Sequence, residues 1–187
     1  MRRIALGIPT LLSVLRLILT VPAAIAILQR EWGTALAVSM FAGFTDTADG
    51  WIARRFRLMT RAGAWADPIA DKALLVTIYV CLAVTGVVPA WLVWLVLGRD
   101  VLILAMAGYA LAFTPFRDFP PSVWGKVSTV LQVLTAIAAM GVNLAPERLD
   151  ALLDALLFAT AAATLGSGAH YFWNGVQRLR ELSRNPD

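Results

Sequence analysis

Four aspartates stand close together in a chain that is otherwise poor in charge: Asp46, Asp49, Asp67 and Asp71. Asp46 and Asp49 are three residues apart, and Gly63, Asp67 and Asp71 follow one another at intervals of four. On helices each set shares one face. Gly50 and Ala53 continue the first face, and a short connection would bring the two helices together as antiparallel neighbours. Clustered carboxylates repel one another and must be neutralised by protons or cations. Donors that are all oxygen, with no His or Cys among them, suit a hard cation such as Mg²⁺, Mn²⁺ or Ca²⁺. The small residues Gly50, Ala53 and Gly63 leave backbone open to a bulky ligand. Two cations could bridge and polarise a diphosphate, and Arg54 could neutralise a phosphate oxygen. Taken singly, each aspartate is as readily a solvated residue or a partner of Arg54, Arg55, Arg57 or Arg61. The paired spacings with small residues between them favour a site.

The elements that must position these residues follow from composition. Of 187 residues, 59% are hydrophobic and 15% charged, with a mean hydropathy of +0.73. Soluble domains carry about 25% charged residues, and a soluble core of this size cannot hide so much apolar surface. A helix crossing a bilayer needs about 20 mostly apolar residues. Six segments reach that length, near residues 8–28, 33–52, 66–84, 88–113, 123–144 and 152–172. Their Leu, Ala and Val runs do not alternate as barrel strands would. The expectation is an all-α, polytopic membrane protein with six transmembrane helices, forming a single domain over residues 1–187.

Charge assigns the sides. Arg2 and Arg3 precede the first span, and Arg54, Arg55, Arg57 and Arg61 separate the second from the third. Arg117 and Lys126 flank the fourth-to-fifth connection, and Arg178, Arg180 and Arg184 follow the sixth span. The opposite loops hold only Arg30, Arg148 and the uncharged Thr85-Gly86-Val87. The positive-inside rule then places both termini and the aspartate cluster in the cytoplasm, as in a bacterial cytoplasmic membrane. The net charge of +4 is explained by topology and anionic lipid headgroups rather than by nucleic acid. The first apolar run is long enough to span and ends in no small-residue cleavage site, so no signal peptide is predicted, and without an Arg-rich, Ser-rich segment mitochondrial import is not expected either. His170 and most of the seven Trp residues read as interface anchors, and Gly98, Gly108 and Gly141 as points of close helix approach.

The run Asp46-Thr-Ala-Asp49-Gly50-Trp-Ile-Ala53-Arg54, followed after eight residues by Gly63-Ala-Trp-Ala-Asp67-Pro-Ile-Ala-Asp71, resembles the signature of the CDP-alcohol phosphatidyltransferases. That pattern, D-x2-D-G-x2-A-R-x8-G-x3-D-x3-D, is met at all eight of its specified positions. The resemblance implies six membrane helices, a homodimer, and displacement of CMP from a CDP-linked lipid by an alcohol with two divalent cations, Mg²⁺ or Mn²⁺. By position, Asp46, Asp49, Asp67 and Asp71 would hold metal, with Asp71 also the general base. Gly50, Ala53 and Gly63 would admit the cytidine diphosphate, with Asp46 beside it and Arg54 on its phosphates.

Two branches of the family differ in the acceptor, phosphatidylglycerol for the cardiolipin synthases and glycerol 3-phosphate for the phosphatidylglycerophosphate synthases. The opening Ile8-Pro9-Thr10-Leu11-Leu12-Ser13-Val14-Leu15-Arg16 resembles an I-P-N-x-L-T-x-x-R start common to both, with Thr10 and Ser13 departing from it. Arg99-Asp100-Val101 is similar to the R-D-V of cardiolipin synthases. In Gly125-Lys126-Val127-Ser128-Thr129, Ser128 stands where the glycerol-phosphate enzymes carry a second lysine. A dianionic phosphomonoester needs more cations than the single charge of a phosphodiester, so the missing lysine favours phosphatidylglycerol. Arg16, Arg99 and Lys126 are expected to contact phosphate. Arg99 falls near mid-span, where either substrate or a neighbouring group must neutralise it. The alternatives are phosphatidylglycerophosphate synthesis and, in another class, a divalent-cation transporter. The one-sided cluster and the lack of an inverted repeat count against transport.

Overall fold

The computed structural model describes residues 8–56, 61–113 and 123–184, with side chains over 15–45, 72–106, 123–173 and at 177. Among the described residues six helices follow in order: α1 Ile8–Leu28, α2 Trp32–Phe56, α3 Arg61–Val84, α4 Ala90–Phe113, α5 Val123–Val142 and α6 Pro146–Arg184. No strand occurs among the described residues. The all-α expectation holds, and α1 begins and ends where hydropathy placed it. α3 starts five residues earlier than expected, and α6 runs well beyond the expected span. At 1.5 Å per residue its 39 residues extend about 58 Å, more than a bilayer core. Among the described residues, Val123–Val142 and Pro146–Trp173 are long and apolar enough to cross a membrane.

The helices divide between two compact units. The first comprises residues 1–89 and 136–150, the second 90–135 and 151–187. In the first, α1 packs along both α2 and α3. Its buried residues are mainly small: Ala23, Ala26, Ala35, Ala42, Ala136, Ala138 and Ala139, filled in by Ile27, Tyr79, Leu82 and Met140. Small residues let helix backbones approach closely, the usual packing where no water drives association.

α1 and α3 end in the same way. Glu31 N donates to Ala26 O and Arg30 N to Ile27 O, with Arg30 at φ 60°. Val87 N donates to Leu82 O and Gly86 N to Ala83 O, with Gly86 at φ 80°. Both are Schellman caps, which satisfy carbonyls that the helix leaves over. Arg30 adopts the left-handed conformation despite its Cβ, and its Nη2 donates to Thr85 O at 3.4 Å, joining the two caps. The α5–α6 hairpin is equally tight. Leu144 N and Ala145 N both donate to Gly141 O, and Pro146 opens α6, where a missing N–H loses nothing. A Cβ on Gly141 would stand 3.1 Å from Leu149 Cδ1, a tight contact that the leucine side chain would have to yield to by a few tenths of an ångström.

Large apolar side chains point outward throughout, among them Phe41, Phe44, Trp94, Leu104, Phe158 and Trp173. Water would penalise such a surface, whereas lipid does not.

Candidate functional site

The aspartate motif lies on the last turns of α2 and the first turns of α3, which residues 57–60 connect. Asp46, Asp49, Gly50, Ala53 and Arg54 belong to α2; Gly63, Asp67 and Asp71 belong to α3. Both segments have helical backbone, so the intervals of three and four residues set each group on one helix face, as the spacing predicts. The side chains of all eight residues lie outside the described residues. Among the described residues no group of three or more His, Cys, Asp or Glu is arranged to hold a metal.

The first unit also contains buried basic groups. Arg16, on the helix that packs against both α2 and α3, is 4% exposed, with its backbone carbonyl accepting from Thr20 Oγ1 at 2.9 Å. Lys72, immediately after Asp71, has its Nζ shut off from solvent. Sequence reasoning passed over Lys72, although a lysine beside a motif carboxylate inside an apolar run is itself a signal.

The second unit contains a different kind of polar chemistry. Arg99 and Asp100 are both buried in α4 and form an ion pair, Nη1 to Oδ1 at 2.7 Å. Ser167 of α6 accepts from the same guanidinium, from Nη2 at 2.8 Å and Nε at 3.3 Å. Arg99 therefore has the neighbouring partners that its depth demanded. Further along, Ser128 and Thr164 share a hydrogen bond at 3.3 Å, Gln132 Nε2 donates to Ser128 Oγ at 3.2 Å, and Thr135 and Thr160 hydroxyls meet at 2.7 Å. All five of these residues are fully buried. Ser128 is thus committed to the α5–α6 contact, and its influence on an acceptor would be indirect. Lys126, two residues earlier, is exposed. The two rows, 128-132-135 and 160-164-167, repeat the same intervals of four and three and so set a polar group at each turn of one face.

The chemical content of the two units is therefore distinct. One has the carboxylate-rich ends of two successive helices together with the buried basic groups of Arg16 and Lys72. The other has a compensated guanidinium and neutral hydroxyls, suited to a weakly charged polar headgroup.

The family model described as CDP-alcohol phosphatidyltransferase matches residues 6–166. The chain is 32% identical over 179 residues to a cardiolipin synthase (CMP-forming) / mitochondrial hydrolase fusion protein of Schizosaccharomyces pombe, covering 88% of this chain and 30% of that one. It is 29% identical over 195 residues to the cardiolipin synthase (CMP-forming) of Rattus norvegicus, covering 94% of this chain and 63% of the relative. A Bacillus subtilis CDP-diacylglycerol--glycerol-3-phosphate 3-phosphatidyltransferase is 29% identical over 143 residues, covering 75% of this chain and 72% of its own. The chain spans less than two thirds of the length of the first two relatives. With the family model covering most of its length and the motif complete, this chain belongs to the CDP-alcohol phosphatidyltransferase family.

Proposed function

We propose that the protein is a membrane-embedded cardiolipin synthase that transfers the phosphatidyl group of CDP-diacylglycerol to phosphatidylglycerol and releases CMP. The observation that carries this reading is the complete eight-position motif, set on the end of α2 and the start of α3. Cardiolipin synthases among the relatives and the Arg99-Asp100-Val101 run favour this branch.

The carboxylates of Asp46, Asp49, Asp67 and Asp71 fit two hard divalent cations, Mg²⁺ or Mn²⁺, because every donor is an oxygen. When bound, the cations neutralise the diphosphate and stabilise the departing CMP. The chain's own residues supply the rest. Gly50, Ala53 and Gly63 leave room for the cytidine diphosphate beside Asp46, and Arg54 holds a phosphate oxygen. Asp71 takes the proton from the acceptor hydroxyl as its oxygen bonds to the phosphorus that carries diacylglycerol. The bond from that phosphorus to the bridging oxygen breaks, and CMP leaves with the bond's electrons. Arg16, Arg99 and Lys126 serve the phosphates, Arg99 and Lys126 on the acceptor side.

Six membrane helices, both termini in the cytoplasm, a homodimer and a bacterial cytoplasmic membrane complete the proposal. The basic loops support the orientation, while the relatives span eukaryotes and bacteria and favour no one compartment. The second reading, phosphatidylglycerophosphate synthesis from glycerol 3-phosphate, draws on the Bacillus subtilis relative. An acceptor competition separates the two. Purified protein receives CDP-diacylglycerol and Mg²⁺ or Mn²⁺, with phosphatidylglycerol and glycerol 3-phosphate together, and the lipids formed are identified by mass spectrometry. Cardiolipin with released CMP is the expected product; phosphatidylglycerophosphate alone would move the protein to the other branch.

A further inference from the structure

Arg99 has five N–H donors and is 9% exposed. Asp100 accepts one from Nη1, and Ser167 accepts one each from Nε and Nη2. Among the described residues, one N–H on each terminal nitrogen is left without a protein acceptor. Buried donors need acceptors, and two N–H groups on one guanidinium can be met by two oxygens of a phosphate. The carboxylate of Asp100 meanwhile offsets the guanidinium charge at 2.7 Å, so the triplet carries no net charge. A dianion would be repelled by Asp100 almost as strongly as it is drawn by Arg99, whereas a phosphodiester with one charge is held mainly by directed hydrogen bonds.

We infer that Asp100 and Ser167 are positioning residues that aim Arg99 at the acceptor's phosphate and tune it to a singly charged phosphodiester over a phosphomonoester. This rests on the reading that Arg99 meets the acceptor. Ser167 fixes the plane of the guanidinium by occupying one of its edges, and Asp100 sets the charge that a ligand meets. Gly168 lies beside the same side chain, but a Cβ there would make only ordinary contact, 3.8 Å from Arg99 Cγ, so it is not part of the device.

The test is steady-state kinetics of the full-length protein in mixed micelles with Mn²⁺, using phosphatidylglycerol and glycerol 3-phosphate separately as acceptors. Ser167→Ala is expected to raise the KM for phosphatidylglycerol about tenfold, with kcat and the KM for CDP-diacylglycerol within about twofold. Ser167→Thr, which keeps the hydroxyl, restores it. Asp100→Asn is expected to shift the ratio of kcat/KM toward glycerol 3-phosphate by about tenfold. Equal effects of Ser167→Ala on both substrates, or an unchanged acceptor KM, would overturn the inference. So would a folded Asp100→Asn protein that scales both acceptors alike; if that variant does not fold, the Ser167 pair decides. Arg99→Gln separates the layers. An unchanged acceptor KM in Arg99→Gln removes Arg99 from the acceptor site altogether. A raised KM there, with none in Ser167→Ala, removes only the positioning role.

Discussion

The first unit packs on alanines and gathers its carboxylates at the ends of two successive helices, while the second packs on hydroxyls and buries an arginine with its counter-charge. Alanine contacts set helix spacing without using any polar group. In the second unit the same small side chains carry oxygens. Ser128, Thr135, Thr160, Thr164 and Ser167 bond to one another or to Arg99 across helices, and Gln132 ties to Ser128 within α5. There, polar groups serve cohesion and, in the proposed reading, ligand orientation as well. Under that reading cohesion and chemistry are separated in one unit and share residues in the other, so substitutions should have different signatures in each.

The largest effect is expected in the first unit. Asp71→Asn should reduce transfer by about 10²–10⁴-fold while CDP-diacylglycerol binding persists, because only the proton acceptor is lost. Product formation and equilibrium binding of the same preparation check this, and full activity would remove Asp71 from the base role. Next, Ser128→Lys places an ammonium in a fully buried hydroxyl cluster. Burying an unpaired charge there should destabilise the fold by several kcal/mol, seen as a lowered Tm in detergent. Retained stability would show that position 128 tolerates a cation and has a ligand-facing role. Thr160→Val removes one partner of the 2.7 Å pair, while Thr135 keeps its bond to Leu131 O at 2.8 Å. A loss of about 0.5–1.5 kcal/mol with acceptor and donor KM unchanged would mark this hydroxyl as cohesive only. Smallest is Arg30→Gly, which relieves the left-handed strain of the α1 cap but loses the bond to Thr85 O. A net change within about 1 kcal/mol is expected from thermal unfolding, and a larger loss would give the Arg30–Thr85 link a greater share in joining α1 to α3.

Most helices were legible because apolar runs bounded by charge are helices in this composition. The bounds failed where polarity and helicity part company. Residues 61–65 open on an arginine beside a glycine and 173–184 are largely polar, yet both stretches are helical, so hydropathy started α3 late and ended α6 short. The aspartate motif was legible from spacing alone because its members lie on two consecutive helices with known periodicity. The hydroxyl seam was not. Ser and Thr are nearly neutral to hydropathy, and each row gains meaning only when set beside a second one many residues away. Arg99 stood out as a misplaced charge, but its partner Ser167 lies 68 residues further on. Ser128 was read for a direct bearing on the acceptor, whereas its burial makes any such effect indirect.

The claim on which everything else rests is that the motif carboxylates build a metal-dependent site for the CDP-lipid. Equilibrium binding of CDP-diacylglycerol to the purified protein, titrated with Mn²⁺ and repeated with Asp46→Ala, tests it directly. Binding that requires Mn²⁺ and falls sharply in Asp46→Ala is the predicted result. Binding that ignores the cation, or that Asp46→Ala leaves unchanged, would contradict the account.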